Sequence, residues 1–400
     1  MSGTLTPEFA IQYTKYATGI SFGWPPSLKS SRLSEIIFRI GWWISYIICT
    51  IVVLALLNAG YKHRDNFMHL TEFLSVAACL LQVMTKMTVG KCHYHRFQYL
   101  IAEMETFVEN ANPHEREILT NYVNRIVPFH SIYHISCSVF VGFYIFGPFI
   151  TDQPLPFGAE YPFPFDDHPG YDIVYLVETI GAIQCSCIVA FICQVSLLLW
   201  YATIQLEFLA ENIRNVNNTQ QLKDCIIIHQ HILWYIDEMT KIVRPMLMTA
   251  IIVAMISVPC GGIHIVGKED TITRLQFMLV VIGDGLELLC LSWAAENLTI
   301  ACQDVTWALY SSAWIKNSKE LNSTSQQYIP SSQRCVYFSR TSRMIYRDFR
   351  ILIVSRRGVI LSTVFLAPQS SSFSHLNKFK FDLFIINYCP HSLPITDKNY

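Results

Sequence analysis

Apolar positions along the chain gather into six runs, at 37–57, 69–89, 127–150, 174–200, 246–266 and 275–296. Each is near the about 20 residues a helix needs to cross a hydrocarbon core. The fourth is the longest. Its continuation, YATIQLEFLAENIRNV, keeps apolar residues at helical spacing with charges between them, so the helix is expected to run on past the membrane. Polar stretches at 90–125 and 201–244 join the second run to the third and the fourth to the fifth. The pattern predicts an all-α, polytopic transmembrane bundle with six clear spans. The sixth run contains Asp284 and Glu287, three positions apart and therefore on one helical face. An ionised group at that depth is costly unless it faces protein, water or a partner. This helix therefore belongs inside a bundle, its acids satisfying buried polar partners or tuning a cation pathway; the first role is favoured for the pair.

Orientation follows from the basic residues. With the N-terminus in the cytoplasm, the inner segments carry Lys15, Lys29, Arg32, Lys91, Arg96, Arg116, Arg125, Arg214, Lys223, Lys241 and Arg244. The outer loops then carry only Lys62, Arg64, Lys268 and Arg274, and the loop at 151–173 has neither Lys nor Arg. Basic residues concentrate on the cytoplasmic side of membrane proteins, so the N-terminus is expected inside. The outer loops are also free of cysteine. A rhodopsin-like seven-span receptor begins outside and commonly ties its third span to the next outer loop by a disulfide, so that class is disfavoured.

Composition agrees with the pattern: 52% hydrophobic, 15% charged and a mean hydropathy of +0.32. Soluble domains carry about a quarter charged residues. The formal net charge of -1 and the lack of a basic stripe before the C-terminal region argue against a nucleic-acid partner. The first 26 residues have no positive segment followed by an apolar run, so no secretory signal is expected there. Of the 13 cysteines, Cys49, Cys79, Cys137, Cys185, Cys187, Cys193 and Cys290 fall in apolar segments and are expected to pack as small hydrophobes. Cys92, His93 and His95 lie close together, but no second cluster completes a metal site. His229 and His231, two apart on a helix, point to different sides. No catalytic motif has its required context, so no catalytic residue, metal or cofactor is expected. The sequons at Asn217, Asn297 and Asn322 fall on the cytoplasmic side and should carry no sugar.

The outer loop TDQPLPFGAEYPFPFDDHPGYD is rich in proline, aromatics and acids. Proline resists regular structure, which points to a compact cap of packed rings: a lid over a cavity, or an ordinary extracellular loop. Below it, the outer ends of several spans are aromatic and apolar. Phe73, Phe143, Tyr144, Tyr175, Glu178, Thr179, Phe277 and Met278 are the candidate ligand contacts, giving a mostly apolar pocket with a few hydroxyls, suited to a small volatile molecule.

Four stretches resemble the insect odorant receptor family, the inverted heptahelical receptors: YPFPFD running into PGYDIVYLVE, LKDCIIIHQHILWYIDEMTKIVRPM, CLSWAAENL and ALYSSAW. The gustatory receptor branch shares the topology, but the loop and ALYSSAW fit odorant receptors better; a secondary transporter would show internal repeats, and none is evident. The resemblance implies an odorant receptor subunit that binds a small volatile ligand in the outer half of the second to sixth spans. It implies gating of a non-selective cation channel in a hetero-tetramer with the odorant receptor co-receptor, in the plasma membrane of sensory neuron dendrites. In that family a cytoplasmic helix anchors the subunits, which marks Trp314 as a subunit contact, and the last helix lines the pore. Three regions are therefore expected: a cytoplasmic segment at 1–36, a receptor domain at 37–314 and an atypical tail at 315–400. The tail has no run long enough for a seventh span. It carries Arg334, Arg340, Arg343, Arg347, Arg350, Arg356 and Arg357, which favour the cytoplasm. The expectation is a seventh span missing or degenerate, through truncation, alternative splicing or an altered frame, and a product unable to conduct.

Overall fold

The computed structural model describes residues 6–19, 23, 25–26, 30–150, 154–164, 167–267 and 271–311. The chain divides into two units, Met1–Arg350 and Ile351–Tyr400, and all described residues belong to the first. Among them every regular element is helical: α1 (Pro7–Gly19), α2 (Arg32–Lys62), α3 (Phe67–Cys92), α4 (Tyr94–Asn110), α5 (Pro113–Phe146), α6 (Gly170–Arg214), α7 (Thr219–Val266) and α8 (Thr271–Ser311), with a short 3₁₀ turn at Gly147–Phe149. The helices α2, α3, α5, α6, α7 and α8 are long and apolar enough to cross a membrane, and each of the six apolar runs lies on one of them. Trp314 and the tail at 315–400 lie outside the described residues.

The polar joins are helical, not loop. The stretch at 90–125 is α4 plus the first turns of α5. Pro113 takes the opening position of α5, where a missing N–H removes no helical bond, and Asn112 and Glu115 cap it reciprocally. The stretch at 201–244 is the end of α6 and the first half of α7, whose start is capped by the Asn218 side chain accepting the Gln221 N–H at 2.8 Å. The run-on of α6 follows its helical spacing, as expected, whereas α4 is a helix that hydrophobic runs alone do not reveal. The α1 helix is a further addition. It buries Pro7, Ala10, Thr14 and Thr18, a small and partly polar face with little hydrophobic periodicity, and it is tied down by Tyr13–His134 at 2.9 Å and by the pairs Glu8–Arg116 and Lys15–Glu105.

Burial separates two kinds of helix. From Cys187 to Ile204 every residue of α6 is buried, so this helix is wrapped on all sides and forms the axis of the core. In contrast, α2 exposes Ile40, Trp43, Ile47, Ile51 and Leu54, a stripe at helical spacing. A wholly apolar stripe turned outward is unstable in water and natural against lipid. At about 1.5 Å per residue, the 45 residues of α6 and the 48 of α7 reach more than twice the about 30 Å thickness of a hydrocarbon core. Their paired inner ends therefore stand clear of the membrane as a stem.

Candidate functional site

Four helices turn a periodic face toward one cavity. From α3 come Ser75, Val76, Cys79, Gln82 and Val83; from α5, Tyr133, Cys137, Phe140, Val141 and Tyr144; from α6, Ala182, Cys185, Ile188 and Val189; from α8, Leu279, Val280, Gly283, Asp284 and Glu287. Spacings of three, four and seven place each set on a single helical face. The cavity has two narrow chambers, one under the outer loop and one below it, each partly open to the surroundings. Cys79, Phe140, Val141, Cys185 and Val280 line both.

The upper chamber is apolar apart from Ser75, whose hydroxyl is buried without a hydrogen-bond partner, and the Tyr144 ring that packs on Phe140 and Phe157. The lower chamber ends on charge. Glu287 accepts hydrogen bonds from Gln82 Nε2 at 2.8 Å, Lys86 Nζ at 2.8 Å and Tyr133 Oη at 3.3 Å. Lys86 and Glu287 form a salt bridge with side chains 1% and 7% exposed. Asp284 lines the same chamber and accepts the Ser257 hydroxyl.

The roof is the outer loop. Leu155, Phe157, Ala159 and Tyr161 are buried and join a cluster with Val52, Phe73, Val76, Tyr144 and Val174. Gly158 sits at φ +60°, a left-handed conformation that glycine adopts without strain. Glu178 accepts the Phe157 N–H at 2.7 Å and the Tyr161 hydroxyl at 3.3 Å. Tyr171 donates to the Pro154 carbonyl at 2.9 Å. On the far side Asn58 donates to the Glu160 carbonyl at 2.9 Å, and the Glu160 carboxylate meets Lys62 and His63, each at 2.6 Å. Hydrogen bonds from Lys62 and then His63 hold the Glu160 pKa below its ordinary value. The loop is thus a fastened cap of packed rings, with Phe157 forming the ceiling of the upper chamber.

The predicted contacts fall into distinct environments. Tyr144 lines the upper chamber. Phe73 packs within the roof cluster, and Glu178, fully buried, holds the roof rather than the cavity wall. Tyr175 donates to the Ile145 carbonyl at 2.6 Å, and the buried Thr179 hydroxyl is without a hydrogen-bond partner. Phe277 stacks on His264 with ring centroids 4.0 Å apart. Phe143 is half-buried, Met278 is 42% exposed, and neither lines the two chambers. Lys86, Gln82 and Tyr133 were not among the sequence candidates. Their signal was Glu287 itself, since a carboxylate inside a span requires a partner, and Lys86 is the one lysine within the second apolar run. Cys49, Cys79, Cys137, Cys185, Cys187, Cys193 and Cys290 are all free thiols, buried or half-buried, as is Cys260 in the fifth run. Among the described residues no group of three or more His, Cys, Asp or Glu is placed to hold a metal ion.

Fold and cavity together define a multi-pass α-helical membrane protein with a roofed internal chamber. Residues 66–344 match the family described as 7tm Odorant receptor, and the chain belongs to that family, one of receptors and not of enzymes. The match runs past Trp314 into the segment expected to be atypical. The fold is similar to that of the insect olfactory receptor OR5 from Machilis hrabei, at a TM-score of 0.67 and 12% identity, covering 86% of this chain and 98% of that one. The same receptor in complex with eugenol is similar at a TM-score of 0.61 and 13% identity, over 87% and 99%. No curated protein matches the chain in sequence.

Proposed function

We propose that this chain is an odorant receptor subunit that binds a small, mostly apolar volatile molecule in the chambered cavity between α3, α5, α6 and α8. The observation that carries this reading is the cavity: aromatic and aliphatic walls under a fastened roof, in a chain of the odorant receptor family. A ligand that fits one arrangement of these helices better than another shifts their equilibrium by its difference in affinity. A structurally similar receptor, OR5 from Machilis hrabei, is known in complex with eugenol. Tyr144 contacts the ligand directly in this reading. Phe73 and Glu178 act by setting the roof, while Phe143, Tyr175, Thr179, Phe277 and Met278 belong to the surrounding shell.

The subunit works in the plasma membrane of sensory neuron dendrites, in a hetero-tetramer with the odorant receptor co-receptor, gating a non-selective cation channel. Trp314 contributes to contacts between subunits. The sequence at 315–400 holds no apolar run of spanning length, so in this reading the partner supplies the pore helix. Expression of the full chain with and without the co-receptor, with whole-cell recording during application of a volatile panel, tests this. Odorant-evoked cation current only in the co-expressing cells is expected. Absence of any evoked current with surface-expressed complex would remove the channel role, and solute flux without gating would replace it with transport.

A further inference from the structure

At the cytoplasmic end of the bundle, α2, the last turn of α3 and the start of α4 enclose a cleft wider than either chamber and sharing no residue with them. Arg39 lines it from α2, Lys91 from α3 and His95 from α4. Among the described residues neither Arg39 nor Lys91 forms an ion pair. The neighbouring Arg96, by contrast, is committed to Glu238 at 2.9 Å. The Lys91 ammonium stands over the Trp42 ring at 5.3 Å from its centroid, a contact that leaves its charge uncompensated. The acid of the cleft is Glu35, one turn before Arg39 and paired with neither cation. Arg39 lies at the start of the first apolar run and Lys91 just past the end of the second. With the N-terminus inside, both stand at the cytoplasmic edge of the hydrocarbon, where the leaflet carries anionic headgroups. Trp43 lines the cleft and also belongs to the outward stripe of α2, where it is 52% exposed. The cleft is thus continuous with the face that lipid covers.

We infer that this cleft holds the headgroup of an anionic phospholipid of the inner leaflet, its phosphate between Arg39 and Lys91 and its acyl chains along Trp43 and the α2 stripe. The guanidinium fork of an arginine matches two phosphate oxygens, and a lysine adds a compact second charge. His95 adds a further ring nitrogen at the same cleft. A soluble phosphate would use the cations alone. A lipid also uses the adjoining apolar face, and that continuity makes it the occupant.

The test is native mass spectrometry of the full-length protein in detergent, titrated with phosphatidylinositol 4-phosphate or with phosphatidylcholine of the same chains. Inositol 1,4-bisphosphate, the same headgroup without chains, serves as competitor. One phosphatidylinositol 4-phosphate is expected to bind roughly tenfold more tightly than phosphatidylcholine and to resist the competitor. Arg39→Gln and Lys91→Gln are each expected to weaken it about fivefold, the worth of one basic residue at an anionic surface. Glu35→Gln is expected to strengthen it. The pair Arg214→Gln with Lys223→Gln, on the stem, is expected to change nothing. Equal retention of the two lipids, or an equal loss from the stem pair, would overturn the site. Displacement by the soluble bisphosphate would overturn the lipid in favour of a free phosphate compound. Should the Arg39 and Lys91 variants fail to fold, Glu35→Gln and the comparison of the two lipids on the wild type decide.

Discussion

At the scale of single residues, the largest electrostatic commitment is Lys86–Glu287. Two charges taken out of water attract each other strongly but lose their hydration, so the pair contributes little net stability, and removing one member leaves the other exposed to the full desolvation cost. Lys86→Met is expected to destabilise the bundle by about 3–5 kcal/mol, while the double replacement Lys86→Met with Glu287→Leu recovers most of the loss. Thermal unfolding of the three variants in one detergent measures it; equal destabilisation by single and double variants would show that the charge pair is not the reason. Glu178 provides a second case. Glu178→Ala strands the Phe157 N–H, at about 1–3 kcal/mol for an unsatisfied group. The outer loop is then expected to be cut faster by an added protease, with the helices unaffected. The sequence made both acids visible, because an acid in an apolar run is conspicuous. Their partners were not visible: Lys86, Tyr133 and Phe157 are remote in the chain, and nothing in local pattern specifies which span faces which.

At the scale of elements, the helices were legible where apolar residues ran unbroken and where, as at the end of α6, helical spacing carried on past the membrane; α1 and α4 were not. Hydrophobic periodicity reports burial, and α1 and α4 are only partly buried. Packing between elements is decided by details that periodicity does not encode. A side chain at Gly261 on α7 would put its Cβ 2.9 Å from the Cγ2 of Val281 on α8, closer than packed carbons approach. Gly261→Ala is expected to separate α7 from α8 locally and to destabilise the protein by about 1–3 kcal/mol; an unchanged melting temperature would mean the helices can shift freely there. The roof has a pH dependence of definite sign. Glu160 has a depressed pKa, held down by Lys62 and His63, so its clamp is present above the ordinary carboxylate range and is lost as pH falls through its lowered folded value. Protection of 154–164 from hydrogen exchange, taken relative to the intrinsic rate at each pH, is expected to be high at neutral pH and to fall as the pH drops through that lowered value, and Glu160→Gln is expected to lower it at both. Its side chain is partly exposed, so the effect belongs to the loop and leaves global stability little changed.

At the scale of the whole molecule, two kinds of apolar exposure carry different meanings. The outward stripe of α2 lies within the hydrocarbon thickness and is covered by lipid. The stem has no such cover: Trp307 is 70% exposed, Ile227 64% and Tyr310 53%, on helix ends that the lengths of α7 and α8 carry beyond the membrane. Exposed apolar surface in water marks a surface that meets another protein, and aromatic residues are common anchors of such contacts. If the subunits of the proposed hetero-tetramer meet along the stem, Trp307→Glu should leave insertion and ligand-induced stabilisation intact while lowering the fraction that co-purifies with the co-receptor. Native gels and pull-down of the co-expressed pair measure this directly. A variant that assembles as well as the wild type would shift the contact to residues beyond 311, where Trp314 was expected to act. A variant that neither inserts nor assembles would instead tie the stem to folding of the single chain. Sensing and assembly would then be separable along one axis: the roofed chambers at the outer and middle levels of the bundle, the subunit contacts on the stem, and α6, buried throughout its middle, running between them.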